Sequence, residues 1–274
     1  MFLSLVLTVS PTESATVPVN LGAEMQGWFL REVRRCDPAM SAWLHESNQR
    51  RPYAVSGLMG VPGAYEAKAR VHAGSHYTVR VASAHPLLSE FLALHWLPQM
   101  IDSIRLDSGT VLRIVDRATL ARSHPWAGSE TALDIVARAS GTEDDSALEI
   151  DFASPTTFRS QGVYIPLPIP RLIFQGLATA WRDVPGVALA IPDDFGEIVE
   201  RSVLVSRYTL HTERVVFSHD KQRHDMSAFV GCCRFSLKRL DADTRLLVRA
   251  LAHFALYTGV GSHTALGLGQ ARVV

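Results

Sequence analysis

Residues 2–9 (FLSLVLTV) place leucine and valine at alternating positions, the period-two pattern of a strand. The period then lengthens. Leu21, Met25, Trp28, Phe29 and Val33 recur at helical spacing and predict an amphipathic helix over 21–35. Asp37-Pro38 caps and starts a second, shorter helix ending near His45. Residues 51–59 and 76–82 read as extended. Residues 86–100 read as a helix opened by Pro86, with Leu87, Phe91 and Leu94 on one side, and 111–115 as a strand. The acidic, turn-rich SGTEDDS (140–146) is the best linker, and 118–139 fit no element of this scheme. After the linker the order repeats. Residues 147–153 are a strand, and Ile173, Phe174, Leu177 and Trp181 define a helix. Residues 203–210, 214–218 and 227–237 are extended. Asp241 caps a helix with Leu246, Ala250 and Phe254 on one stripe and Leu247 and Leu251 beside it, and 269–274 form the final strand. Each half thus reads β-α-β-β-α-β. The expected class is α+β, with tandem ferredoxin-like (RRM-like) domains over 1–145 and 146–274.

A chain of 274 residues with 47% hydrophobic and 20% charged content can build a sizeable core. Its formal net charge of zero excludes a bulk-basic nucleic-acid binder but leaves room for a local basic face. Residues 207–239 provide one, with Arg207, Arg214, Lys221, Arg223, Arg234, Lys238 and Arg239 against Glu213, Asp220 and Asp225. An ordinary solvated strand pair would look the same. Cys36, Cys232 and Cys233 lack metal-ligand spacing and read as reduced thiols of a cytoplasmic protein. Acidic pairs fall in turns, so no metal or cofactor is expected. The opening MFLSLVLTVSPTES is apolar but lacks a basic n-region, and no run approaches the ~18 apolar residues of a membrane span.

The most distinctive stretch is GVGSHTALGLG, Gly259 to Gly269. A dinucleotide fingerprint follows a strand and opens a helix, whereas this loop follows a helix and opens a strand. A Walker A loop ends in Gly-Lys-Ser/Thr, which is missing. Two readings stay open on the residues alone. One is a glycine-rich connection. The other uses Gly259, Gly261, Gly267 and Gly269 to bring backbone N–H groups up to an anion, with Ser262, His263 and Thr264 adding side-chain donors.

Two Gly-x-Gly pairs about five residues apart, before the last strand of a second ferredoxin-like domain, resemble the RAMP superfamily of CRISPR-associated proteins. The resemblance is strongest to its repeat-RNA-processing endoribonucleases, the "Cas six" family. LHESNQRRPYAVSGLMG (44–60) looks like that family's first-domain segment. LEIDFASPTTFR (148–159) is similar to the start of its second domain, and AFVGCCRFSL (228–237) with the following helix and loop matches its last third. Residues 61–146 match least. Family loops usually carry Lys or Arg between the glycine pairs, where this one has SHTAL.

The resemblance implies metal-independent cutting of CRISPR precursor RNA within its repeats. The 2′-OH attacks phosphorus, leaving a 2′,3′-cyclic phosphate and a 5′-OH. It implies His45 as general base or acid, with Arg51 stabilising the phosphate and Arg50 holding RNA. A helix C-terminal histidine that only serves the last carbonyls is the structural alternative for His45. Arg207, Lys221 and Arg223 would grip RNA, Tyr53 and Tyr257 would stack on bases, and His263 would contact phosphate within the loop. Expected partners are repeat RNA, CRISPR effector subunits and a second copy of the chain, with no membrane. The uncharged loop centre favours an alternative, a non-catalytic RAMP-type RNA-binding subunit. A third reading is a phosphate- or nucleotide-binding ferredoxin-like protein unrelated to CRISPR.

Overall fold

The computed structural model describes residues 1–46, 50–61, 68–141, 145–186, 189–219 and 222–274, without the side chains of 46, 217–219 and 222–224. The first half contains β1 (Phe2–Pro11), β2 (Ala15–Pro18), α1 (Gly22–Cys36), α2 (Pro38–Glu46), β3 (Tyr53–Val55), β4 (Lys68–Val71) and β5 (Tyr77–Ser83). It continues with α3 (Pro86–Phe91), β6 (Ser103–Arg105), β7 (Val111–Ala118), β8 (Gly128–Glu130) and α4 (Ala132–Ser140). The antiparallel sheet runs β3-β5-β1-β7-β6, with β8 also on β1. The second half holds β9 (Ala147–Thr156), β10 (Phe158–Ser160), β11 (Val163–Ile165), α5 (Pro170–Arg182), α6 (Phe195–Ser202), β12 (Leu204–His219), β13 (Gln222–Ser236), α7 (Ala242–Thr258) and β14 (Ala271–Val273). Its sheet runs β12-β13-β9-β14. In both sheets the four principal strands stand in the order second-third-first-fourth, so each half is ferredoxin-like.

The near-continuous apolar run of β1 has a tertiary cause. Leu3, Leu5, Leu7 and Val9 enter the first core with α1 and α3, whereas Phe2 and Val6 enter the second core with α5 and α7. Alternate side chains of a strand point to opposite faces, so one strand serves both cores. Phe2 meets Phe254 at 5.2 Å and Trp181 at 6.0 Å between ring centroids.

The unassigned stretch 118–139 supplies β8 and α4. Thr131 and Asp134 close a capping box at the start of α4, which buries Ile135 and Ala139 in the second core. Three expectations change. Residues 203–218 are not two extended pieces but one strand, β12, and α6 was not anticipated. The helix from Pro86 buries Leu88, Phe91, Leu92 and Trp96, while Leu87 and Leu94 are exposed. That helix widens into a π turn over Leu92–Trp96 and ends in a 3-10 turn containing Pro98, which has no N–H to continue it.

Arg80, on β5, is fully buried at the junction. Its guanidinium donates to Ser4 Oγ at 3.1 Å, to Leu256 O and to Gln270 Oε1, and lies 5.6 Å from the Trp126 ring centroid. Burial pulls its pKa down to about 9. Leu256 and Gln270 flank the glycine loop, so one side chain of the first sheet ties both ends of that loop.

Candidate nucleic-acid interface

All four loop glycines have positive φ: 68° at Gly259, 84° at Gly261, 90° at Gly267 and 67° at Gly269. None has room for a Cβ. It would stand 2.9 Å from Gly269 O at Gly259, 2.4 Å from Thr157 O at Gly261, 3.0 Å from Gly22 Cα at Gly267 and 2.0 Å from Val260 O at Gly269. The glycines therefore let the loop fold against itself and against both halves. Several N–H groups are used internally. Val260 donates to Gly269 O, Ser262 to Thr157 O, Leu266 to His263 O and Gly269 to Pro155 O. Residues 265–269 are buried, and only the tip, 261–264, reaches solvent.

This loop meets the segment that carries His45. The histidine is exposed in the last turn of α2. Arg51 Nη1 donates to Leu44 O at 2.6 Å, filling a carbonyl near the helix end and holding the chain beside His45. Desolvation pulls the Arg50 pKa down, partly offset by the Asp183 carboxylate beyond α5 in the other half. Residues 47–49 lie outside the described residues. Just past β3, Ser56 forms a parallel bridge with Gly267. The two motifs, more than 200 residues apart in sequence, are thus in contact across the junction.

The two tyrosines expected to stack on bases are core residues instead. Tyr53 is 2% exposed, with its hydroxyl accepting from Gln26 Nε2 at 3.1 Å and its ring 5.0 Å from Phe29. Tyr257 is 1% exposed and donates to the Glu130 carboxylate, and burial pushes its pKa upward. Tyr53 lies in an extended apolar stretch that suits core packing as well as base stacking, and the unassigned stretch hid the partner of Tyr257.

The basic segment forms the β12–β13 hairpin. Arg207 is exposed, opposite Arg234. Arg214 is engaged by Asp225 through two bonds, of 2.9 and 2.6 Å, and this pairing raises its pKa. His211 Nε2 lies 3.0 Å from Glu213 Oε1. Lys221 and the side chain of Arg223 lie outside the described residues. A groove of about 740 Å³ joins hairpin, loop and first half, with Asn20, Gly57, Ser154, His211, Arg214 and Gly267 on its walls.

His263, at the loop tip, is left-handed (φ 61°), and its Nε2 lies 3.0 Å from Tyr164 Oη. Tyr164 escaped the sequence reading. The Gln161-Gly162 pair is a turn signal that would have placed Arg159 and Tyr164 across a hairpin. Among the described residues no group of three His, Cys, Asp or Glu is placed to hold a metal, and no helix is long and apolar enough to cross a membrane.

The family model described as CRISPR-associated endoribonuclease Cas6 matches residues 150–271. The curated Cas6 of Streptococcus thermophilus is 30% identical over 146 residues, which cover 53% of this chain and 57% of that relative, so the match spans little more than half of its length. A Cas6 solved as a product complex superposes over 100% of this chain and 99% of its own, with a TM-score of 0.72 and 26% identity. A second Cas6 product complex superposes over 100% of both chains with a TM-score of 0.78. At 22% identity that likeness is one of fold.

Proposed function

The chain belongs to the family of CRISPR-associated Cas6 endoribonucleases, and we propose that it cuts CRISPR precursor RNA within its repeats without a metal ion. The observation that carries this reading is the contact between the His45 segment and the glycine loop, made through Ser56 and Gly267. On this reading an RNA strand crosses that junction, with His45 on one side and the loop tip on the other.

The reaction breaks the P–O5′ bond and forms a P–O2′ bond, leaving a 2′,3′-cyclic phosphate and a 5′-OH. His45 serves as general base toward the 2′-OH or as general acid toward the leaving oxygen, roles that an exposed imidazole can fill near neutral pH. Arg51 stabilises the charge that builds on the phosphoryl oxygens. Its bond to Leu44 O holds the guanidinium close to His45 along the chain. Arg50 and Arg207 bind the backbone. CRISPR effector subunits and a second copy of the chain remain partners to be sought by co-purification.

A second reading, RNA binding without cleavage, is favoured by two observations: the loop tip carries no permanent cation, and several loop N–H groups are used internally. One experiment separates the two. Purified protein is incubated with its repeat RNA in EDTA, and product ends are typed chemically. The expected result is a single cut with a cyclic phosphate, abolished by a 2′-deoxy group at the cut site. His45→Ala should slow cutting roughly 10²–10⁴-fold while binding persists. Tight binding with no cut would replace the nuclease reading by the second. Cutting untouched by His45→Ala would remove His45 from the mechanism.

A further inference from the structure

The tip of the glycine loop meets the β10–β11 hairpin, where two side chains touch and a third stands beside them in the hairpin register. Tyr164 Oη lies 3.0 Å from His263 Nε2, with ring centroids 6.0 Å apart. Arg159 stands directly opposite Tyr164 in the hairpin register. Directly paired residues of an antiparallel hairpin project from the same face, about 5 Å apart at Cβ, so guanidinium and phenol share one side. Arg159 is exposed and has no ion pair among the described residues.

The junction is built, not a chance approach. Ser262 N donates to Thr157 O at 2.9 Å, and Gly261 is pressed so close to that carbonyl that a Cβ would stand 2.4 Å away. Among the described residues, two that are not glycine have positive φ: Gln161, in the hairpin turn, and His263, in the loop. Such conformations persist where the surroundings hold them, and here both lie on the two segments that form the cluster. The His263 carbonyl accepts from Leu266 N at 2.8 Å, which fixes its backbone.

We propose that Arg159, Tyr164 and His263 form a phosphodiester-binding site in which a strand-borne guanidinium supplies the permanent charge missing from the loop. The phenol and imidazole share one hydrogen bond, which leaves the pair one directed donor beside it, the phenol O–H or the imidazole Nδ1–H according to the tautomer. This rests on the RNA-binding reading above and adds to it a subsite and two residues. Guanidinium beside hydroxyl and imidazole is the donor set that suits a phosphate oxygen pair.

The test measures anisotropy of a labelled single-stranded repeat RNA across a salt series, for wild type, Arg159→Ala, Arg159→Lys, Tyr164→Phe and His263→Asn. Asparagine tolerates the left-handed backbone, so that variant keeps the loop fold. Thermal melts verify folding of each protein. Arg159→Ala should weaken binding about 3- to 10-fold and lower the slope of log K against log salt by about 0.7, and Arg159→Lys should restore the slope. Tyr164→Phe and His263→Asn should each weaken binding, and the double variant should be no weaker than the worse single one. Tyr164→Phe should also move the His263 ring-nitrogen NMR signals. If wild type binds and Arg159→Ala leaves affinity and slope unchanged, the site is overturned alone. Additive losses in the double variant overturn the phenol–imidazole unit. A wild-type protein that fails to bind RNA overturns the functional reading and the site together.

Discussion

Helix α1 contains two glycines, and the structure gives them opposite expected behaviour on substitution by alanine. In an exposed helix interior that change stabilises by up to about 1 kcal/mol. Gly27, partly exposed in the helix interior, follows that rule because nothing rigid faces it. A Cβ there would have Arg31 Nη1 as its nearest neighbour at 3.3 Å, the far end of a flexible side chain. Gly22→Ala should do the reverse. Its Cβ would stand 1.7 Å from Leu266 O, 2.2 Å from Leu266 C and 2.8 Å from Gly267 N, all backbone atoms of the glycine loop. That loop is held from its other side by the Ser56 bridge and the bonds to Pro155 and Thr157. Forced overpacking costs about 1–3 kcal/mol, and the helix-propensity gain offsets only part of it. Gly22→Ala should therefore end about 2 kcal/mol below Gly27→Ala or further. For a chain of this length that separates the melting temperatures by about 4–8 °C, at 2–4 °C per kcal/mol. Differential scanning calorimetry on the two variants and wild type reads this directly. Repeat-RNA affinity should fall with Gly22→Ala only. A Gly22→Ala protein as stable as Gly27→Ala would refute the account of the loop as a wedge between the halves.

Three further outcomes follow from buried polar groups. Burial, with Arg138 and Arg249 nearby, pulls His253 down to about 3, so below pH 6.5 the unfolded chain binds a proton that the native state refuses. Stability should fall as pH drops from 6.5 toward 3, by up to about 1.4 kcal/mol per pH unit, and His253→Leu should flatten the slope in urea titrations. Arg80→Met should leave Leu256 O and Gln270 Oε1 without this donor. Each loss costs about 1–3 kcal/mol, and chemical unfolding measures the sum. Tyr257→Phe should lower stability by about 1–2 kcal/mol through loss of its bond to Glu130 while leaving RNA affinity unchanged, because its ring is enclosed.

Periodicity carried the element order because it reflects local geometry. The spacing of Leu21, Met25, Trp28, Phe29 and Val33 marks α1 whatever surrounds it, and all but its first residue lie within that helix. The same reasoning mistook the buried side of the helix after Pro86. Leu87 and Leu94 fit an apolar stripe as well as Leu88 and Leu92 do, and the choice belongs to the neighbours. Residues 118–139 were opaque for a related reason: β8 and α4 are short and take their apolar partners from the other half.

At the site the division is sharper. The glycine loop and the His45 segment were visible as motifs because glycine spacing and residue type are sequence properties. Their contact was not, nor was the use of loop glycines for close approach to Gly22, Thr157 and Val260. Tyr164 became a site candidate only when the hairpin brought it to His263, and Arg159 only as the register partner of Tyr164. Two ferredoxin-like halves, a basic hairpin and the chemical groups available are legible along the chain, since these depend on neighbours a few residues apart. The tertiary structure alone decided which groups meet, which tyrosines are enclosed and which glycines carry no room for a side chain, because those depend on backbone brought together from opposite ends of the chain.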